Sequence, residues 1–300
     1  MSTYTLKVDP EFNDVRLDVF LAKNFSEAPS RTFVKKLIDA GHVSVNKKAA
    51  KANYKVTDGD QVHVEIPRGF LAPDHIDPEN IPLNIFYEDE YLMVVNKPVG
   101  MLVHPAAGIY SGTLVNALLY HCKKLSKMDE FRPGIVHRLD QETSGLMVAA
   151  KDNKTHAKLA KQFEEHHVMK RYVALVEGEI EFDQGVIDAS IGRHPRYRDR
   201  KAVQLDDDSA KEAITFYEVL KRKGGVTLVA LFPQSGRTHQ LRVHMAHLKH
   251  PVLGDEKYGR KMTFSRLALH AQSLGFVHPV TKCYIEFSSI VPKEFFDKVR

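Results

Sequence analysis

The chain has 300 residues, 43% hydrophobic and 27% charged, a composition typical of a folded protein with one large domain or two smaller ones. Its net charge of +5 is a modest excess of the sign that a polyanion-binding protein carries, although many enzymes are mildly basic as well. The two cysteines form no CxxC pair, and neither a secretory signal nor an apolar run of roughly 18 residues is found, so we expect a cytoplasmic protein that is neither secreted nor membrane-embedded.

The first 66 residues contain two predicted helices and two predicted strands. Apolar residues recur at helical spacing in VRLDVFLAKNF, and SRTFVKKLIDAGHVSVN predicts a second helix with Ser30 as N-cap and Gly41 just after its end. The alternating segments HVSVN and DQVHVEI predict short strands joined by a basic loop. Between Lys23 and Lys55 eight Lys or Arg stand against two acids, which fits either a solvated helix face or a surface that binds a polyanion.

A proline-rich segment separates this region from the rest of the chain. IPRGFLAPDHIDPENIPLN, from Ile66 to Asn84, contains four prolines and no periodic pattern, as linkers do. We therefore predict domains at 1–66 and 85–300 and a linker at 67–84.

The second predicted domain alternates strands and helices. YLMVVNKP and LMVAAK are typical of buried strands, and SGTLVNALLYHCKKL and KTHAKLAKQFEEHHV of amphipathic helices. KRYVALVEGEI, AITFYEVLKRKGGVTLVALFP and CYIEFSS have the β-branched and aromatic content of antiparallel strands. The sequence thus predicts an α+β protein: a small N-terminal α/β domain, then a larger domain built on a mixed, mainly antiparallel sheet with flanking helices. A GxxxxGK[ST] loop is absent, which argues against an ATP-driven enzyme.

Three short segments of this larger domain contain residues that core packing alone would not select. They are VNKPVGMLVHP with Lys97 and His104, GIVHRLDQETSGLMVAAK with Asp140, and SGRTHQLRVHMAH with Arg242. Each has a structural explanation, since Asp140 could cap a turn or pair with a cation and Arg242 could pair with any acid. Their joint occurrence, in this order, favours a reaction centre.

The third segment also raises the question of a metal site. His239, His244, His247 and His250 lie close together in sequence, but no HExxH pattern is present and the nearest cysteine is distant. We therefore predict no metal and no cofactor. His244 and His247 fit equally well on a helix face near RNA phosphates.

A basic loop, GRHPRYRDRKAV, carries five Arg or Lys around an aromatic residue. It is either a loop that contacts RNA, through Arg196 and Arg198, or a merely exposed loop. Contacts to phosphates would set affinity and salt dependence rather than sequence choice.

Two resemblances bring these observations together. The segments RLD, SR, LI..GHVSVN and DGD of the first 66 residues resemble the alpha-L RNA-binding domain found in a small-subunit ribosomal protein. That resemblance implies that five basic residues face RNA phosphates: Arg31, Lys35, Lys36, Lys47 and Lys48.

The three segments of the larger domain resemble the RluA family of pseudouridine synthases, most specifically in HRLDQETSGL. The resemblance implies that Asp140 is the catalytic aspartate, that Tyr172 packs on the target base and that Arg242 pairs with Asp140. It also implies that Arg138 helps to displace the target nucleotide. With an alpha-L domain in front, the layout resembles the members that act on ribosomal RNA.

The expectation is therefore a monomeric enzyme that isomerises uridines in large-subunit (23S) ribosomal RNA. A transfer RNA substrate and a non-catalytic RNA-binding factor of ribosome assembly remain alternatives. The aspartate either attacks C1′ as a nucleophile or removes the 2′ proton to give a glycal, and the sequence does not choose between these routes. Both routes need an ionised acid in a dry pocket, and both need the base to leave the helix.

Overall fold

The computed structural model describes residues 2–67, 75–106, 109–197, 199–204, 207, 209–260 and 264–300. The chain forms two compact units that divide between Asp74 and His75. This division falls inside the segment predicted as a linker, but Ile76 is buried in the second unit and the Asp77 carbonyl accepts a hydrogen bond from the Asn116 side chain. In the part of the chain that is described, no helix is both long and apolar enough to cross a membrane.

The first unit packs two helices against a small antiparallel sheet. The helices are α1 (Leu17–Asn24) and α2 (Arg31–Asp39), and a short 3-10 helix covers Pro10–Phe12. The strands, in sheet order, are β1 (Ser2–Lys7), β4 (Gln61–Ile66), β2 (Val43–Val45) and β3 (Lys48–Ala49). Ser30 accepts a hydrogen bond from the Phe33 amide, and Gly41 has a φ of +79°, so both predicted ends of α2 are confirmed.

The second unit contains four helices among its described residues: α3 (Leu114–His121), α4 (Asn153–Glu164), α5 (Gln240–His247) and α6 (Lys293–Asp297). Its strands are β5 (Ile85–Glu88), β6 (Leu92–Lys97), β7 (Ser144–Ala150), β8 (Met169–Glu177), β9 (Gln184–Asp188), β10 (Ile191–Arg193), β11 (Lys201–Val203), β12 (Ile214–Lys223), β13 (Val226–Pro233), β14 (Leu269–Val277) and β15 (Tyr284–Ser288). The helices predicted from SGTLVNALLYHCKKL and KTHAKLAKQFEEHHV are confirmed as α3 and α4.

Most of these strands form one large sheet in the order β5-β6-β7-β14-β8-β13-β12-β9, with β15 paired to the second half of β14. The pair β7–β14 is parallel and the other pairs are antiparallel. Strands β10 and β11 form a separate hairpin. The predicted α+β class with a mixed, mainly antiparallel sheet is confirmed.

Helices cover both faces of the sheet at β6 and β7. Met93 and Val95 pack in a cluster with α3, whereas Leu92 and Val94 pack in a cluster with Leu159 of α4. Because both faces are buried, these strands are continuously apolar rather than alternating.

The close pairing of β7 with β14 requires a glycine at position 145. Gly145 has a φ of +125°, and a Cβ at this position would overlap the backbone of Ala271. Ala271 in turn lies opposite Tyr172 on β8. The close approach therefore brings the loop before β7, which contains Asp140, near the strand that carries Tyr172.

Candidate active site

A cleft of about 560 Å³ opens in the second unit where four segments meet. Most of its lining comes from the loop that precedes β7, from the end of α4, from β8, and from the stretch between the end of β13 and the start of α5. The cleft brings together Asp140, Tyr172 and Arg242, which are separate in sequence. Two acidic side chains line the cleft, those of Asp140 and Glu164. Four cationic side chains also line it: those of Arg138, Lys170, Arg237 and Arg242. This excess of positive charge suits an anionic ligand.

Asp140 lies in a tight turn at the cleft, where its carbonyl accepts a hydrogen bond from the Thr143 amide. Its carboxylate is 17% exposed, so it is shielded from water but still accessible. Arg242 Nη1 donates a hydrogen bond to Asp140 Oδ2 at 3.3 Å. The predicted neighbours are thus in contact, through a single long hydrogen bond.

Arg242 is held mainly by a different acid, Asp255. Its Nε and Nη2 donate to the two oxygens of Asp255 at 2.7 and 2.8 Å, and the Asp255 carboxylate is fully buried. Burial acts to lower the pKa of Arg242, but the carboxylates of Asp255 and, to a smaller extent, Asp140 together outweigh burial and raise the pKa above its ordinary value. One permanently charged guanidinium therefore joins a buried carboxylate to the accessible one.

A histidine also faces Asp140. His239 precedes α5 in a left-handed conformation, with a φ of 58°, and its Nε2 lies 3.9 Å from Asp140 Oδ2. Its Nδ1 is 2.7 Å from the Tyr258 hydroxyl, which also accepts a hydrogen bond from the Lys201 amide. Asp255 accepts hydrogen bonds from the amides of Lys257 and Tyr258, which closes a turn. This turn contacts both side chains that face Asp140, because Asp255 binds Arg242 and Tyr258 binds His239.

Tyr172 lies on β8 and lines the cleft, partly exposed, between Leu231 and Ala271 of the neighbouring strands. Burial, and to a smaller extent the charge of Asp140, raises the pKa of Tyr172, so its phenol is neutral at neutral pH. A neutral aromatic ring at this position presents a surface on which a base can stack.

Lys97, in the segment VNKPVGMLVHP, stabilises the turn that contains Asp140. Lys97 is buried and donates hydrogen bonds to three carbonyls, those of Pro98, Met101 and Gln141. Burial lowers the pKa of Lys97 to about 8, although Glu142 and Asp140 oppose the shift. Gln141 follows Asp140 directly, so Lys97 fixes the backbone beside the carboxylate.

His137 and Arg138 have opposite environments. His137 accepts a hydrogen bond from the Val148 amide and stacks on Phe163 at 4.4 Å between ring centroids, and burial lowers its pKa to about 3. Arg138 is exposed, and its guanidinium forms no hydrogen bond or ion pair with the described residues. His137 therefore anchors the loop, while Arg138 stays available to a ligand. His104 is likewise neutral, because burial and then Arg138 lower its pKa to about 4.

The other predicted RNA-contacting residues that the structure describes are not among the residues that line this cleft. In the first unit Lys35, Lys36, Lys47 and Lys48 are exposed, and Arg31 donates two hydrogen bonds to the buried Asp18. Arg196 lies exposed in the turn between β10 and β11, and Arg198 falls outside the described residues. These positions stay predictions as RNA contacts.

The alternative that His244 lies on a helix face near RNA phosphates is wrong. His244 is completely buried and contacts the Thr215 hydroxyl and the Ala189 carbonyl. His247 is exposed at the end of α5. Among the described residues, no three His, Cys, Asp or Glu side chains are grouped as metal ligands would be.

Asp255, Tyr258 and the contact of His239 with Asp140 were not predicted from the sequence. A signal was present, because LGDEKYG places an acid and an aromatic residue between turn-forming glycines. No local pattern indicates, however, that Asp255 compensates Arg242.

Two family models match the chain in the two regions described above. Residues 91–247 match the model described as RNA pseudouridylate synthase, and residues 15–62 match the model of the S4 domain. The first match contains Asp140, Tyr172 and Arg242, and it covers more than half of the chain.

Relatives and solved structures agree with these matches. An uncharacterised RNA pseudouridine synthase of Bacillus subtilis is 44% identical over 98% of this chain and 96% of its own. Ribosomal large subunit pseudouridine synthase D of Zymomonas mobilis is 42% identical over 98% of this chain and 96% of its own. The structure of human RNA pseudouridylate synthase domain containing 1 superposes with a TM-score of 0.59 at 27% identity, covering 76% of this chain and 89% of its own. The chain therefore belongs to the RNA pseudouridylate synthase family and carries an S4 domain ahead of the synthase region.

Proposed function

We propose that this protein converts specific uridines of large-subunit ribosomal RNA to pseudouridine, with Asp140 as the catalytic carboxylate. The observation that supports this most directly is the position of Asp140: a partly shielded carboxylate in a cationic cleft, 3.3 Å from a buried arginine and beside Tyr172. Several relatives at 37–45% identity support the substrate class, because those of them with an assigned substrate are named ribosomal large subunit pseudouridine synthase D.

The reaction breaks the bond between C1′ and N1, rotates the uracil and joins it again through C5. C5 then loses its proton to solvent and N1 gains one, so the product is an isomer of uridine. Asp140 either attacks C1′ and forms a covalent ester, which the returning base displaces, or it removes the 2′ proton to give a glycal. Arg242 supports either route because its hydrogen bond to Asp140 Oδ2 orients the carboxylate and places a positive charge beside it. Tyr172 accepts the uracil on its ring.

The target nucleotide has to leave the RNA helix before it can reach Asp140. Flipping costs a few kcal/mol, and stacking of the uracil on Tyr172 returns about 1–3 kcal/mol. Arg138 is exposed at the rim of the cleft and has no partner within the described ranges, so it is suited to fill the place of the displaced base. Arg237 and Lys170 offer further positive charge for phosphates.

The first unit supplies affinity rather than chemistry in this proposal. Lys35, Lys47 and Lys48 are exposed there, so they can reach RNA phosphates. Arg31 keeps one guanidinium nitrogen for RNA while its other two bind Asp18.

We place the protein in the cytoplasm as a monomer that works without a cofactor or metal.

The catalytic role is tested by release of tritium from C5-labelled RNA. Asp140→Asn keeps the shape of the side chain but loses both the nucleophile and the base, so it should bind RNA and release no tritium. Glu164→Gln is the matched control, because Glu164 is the other acid in the cleft and should not be required. Turnover by Asp140→Asn would refute the mechanism.

The substrate is tested in cells that lack the gene. Carbodiimide treatment and primer extension should reveal pseudouridines that disappear from large-subunit ribosomal RNA and return with the wild-type gene but not with Asp140→Asn. Losses confined to transfer RNA would show that the substrate is wrong. A growth or assembly defect that Asp140→Asn rescues, without any lost pseudouridine, would show a non-catalytic factor.

A further inference from the structure

The hydroxyl of Tyr258 connects the β10–β11 hairpin to the neighbourhood of Asp140. It lies 2.8 Å from the Lys201 amide nitrogen on β11 and 2.7 Å from Nδ1 of His239. The opposite nitrogen of the same imidazole, Nε2, points to Asp140 Oδ2 at 3.9 Å. The chain of contacts therefore runs from a backbone amide, through one phenol and one imidazole, to the carboxylate.

The donors and acceptors in this chain fix the position of the imidazole proton. A backbone amide can only donate, so the Tyr258 oxygen accepts from Lys201 and its own proton is free to be donated. Among the described residues, Nδ1 of His239 is the acceptor within hydrogen-bonding distance of that hydroxyl. The alternative tautomer, with a proton on Nδ1, would leave the half-buried phenol without an acceptor, which is unfavourable. This arrangement favours the tautomer of His239 that carries its proton on Nε2, on the side of Asp140.

The charges around His239 favour this neutral form. Burial lowers the pKa of His239, the carboxylates of Asp140 and Asp255 oppose the shift, and Arg242 and Lys257 add to it. The imidazole is consequently uncharged at neutral pH. The rings of His239 and Tyr258 also pack edge to face, at 5.5 Å between centroids, which restricts rotation of the imidazole.

We propose that Tyr258 is a positioning residue for the isomerisation, because it fixes His239 as a neutral Nε2–H donor that faces Asp140. This inference rests on the proposed function of Asp140. At 3.9 Å the donor does not yet form a hydrogen bond, and a small shift on uridine binding is enough to close the distance. A neutral donor orients the carboxylate without adding a second positive charge beside Arg242, so the carboxylate keeps more of its reactivity.

The tautomer can be measured directly, without activity. Protein labelled with ¹⁵N in its 16 histidines gives long-range ¹H–¹⁵N correlations that distinguish the two neutral tautomers, and the His239 signals are those lost in His239→Gln. Wild type should show the Nε2–H form, and Tyr258→Phe should show a mixture. A wild-type spectrum with the proton on Nδ1 overturns the proposal, as does a Tyr258→Phe spectrum without change.

Single-turnover kinetics then test the consequence for the reaction. Tyr258→Phe should slow tritium release roughly tenfold, the loss expected from one weakened hydrogen bond, with unchanged RNA affinity. In a His239→Gln background the same substitution should add little, because its target is gone. Tyr217→Phe is the matched control, since Tyr217 is buried in the same unit and its hydroxyl has no hydrogen-bond partner within the described ranges.

An equal loss of rate from Tyr258→Phe in both backgrounds would overturn the proposal, because Tyr258 would then act by another route. Failure of the proposed function has a different signature. In that case the wild-type protein releases no tritium at all, while the ¹⁵N spectra still report the tautomer of His239.

Discussion

Arg242 is anchored by Asp255, and its contact with Asp140 is the weaker of the two. Replacing Arg242 with Met removes the guanidinium but keeps most of the apolar stem. The family resemblance implied that Arg242 pairs with Asp140, and in that case loss of Arg242 would leave Asp140 as the uncompensated carboxylate. In the structure the acid that is stranded in a fully buried position is Asp255, since Asp140 keeps 17% exposure and can be hydrated.

The geometry gives different magnitudes for the two pairs. Arg242 and Asp255 share two charge-assisted hydrogen bonds at 2.7 and 2.8 Å between groups that are 5% and 0% exposed. Breaking such a buried pair costs on the order of 3–5 kcal/mol of unfolding free energy. The bond from Arg242 to Asp140 is single and 3.3 Å long, so we expect a coupling of about 1 kcal/mol.

Two double-mutant cycles measured by urea denaturation test this ordering. One combines Arg242→Met with Asp255→Ala, and the other combines Arg242→Met with Asp140→Ala. The coupling energy should be several times larger in the first cycle. Couplings of equal size, or a larger coupling to Asp140, would refute the conclusion that Asp255 anchors the arginine.

Three further predictions concern the pairing of β7 with β14, the turn that Lys97 stabilises, and the basic residues of the first unit. Gly145→Ala should lower the unfolding free energy by about 2–3 kcal/mol or more, seen as a lower melting temperature, because of the positive φ and the overlap with β14. Burial lowers the pKa of Lys97 from 10.5 to about 8, so between these pH values the unfolded chain binds more protons than the folded protein. The free energy of unfolding of wild type, relative to that of Lys97→Met, should therefore rise by up to about 3 kcal/mol as the pH increases from 8 to 10.5. Urea titrations measure this difference, and a difference that does not change with pH would contradict the prediction. Replacing Lys35, Lys47 and Lys48 with Ala should reduce the slope of log affinity against log salt by up to about 0.9 per lost phosphate contact, whereas an unchanged slope would show that they do not bind RNA.

Features that depend on neighbours along the chain could be predicted from the sequence. Ser30 and Gly41 bound α2 because a side-chain oxygen and a glycine with positive φ act on the adjacent turn. The strands β6 and β7 follow from their continuous apolar runs, and the helices α3 and α4 follow from apolar residues at helical spacing. Strand β14 was missed because it mixes His270 and Gln272 with apolar residues, and His270 is tolerated there only through its buried contacts with the hydroxyls of Ser144 and Ser289.

The candidate site also has a part that could be predicted from the sequence and a part that could not. The three segments favoured a reaction centre with Asp140 and Arg242, and the family resemblance added Tyr172. The structure brings these three side chains into one cleft. The sequence alone did not indicate that Asp255 holds Arg242 or that Tyr258 contacts His239. The compensation of a buried charge and the tautomer of an imidazole depend on which groups lie within about 3 Å in the folded protein, and that is decided by how α5 and the turn at Asp255 pack together.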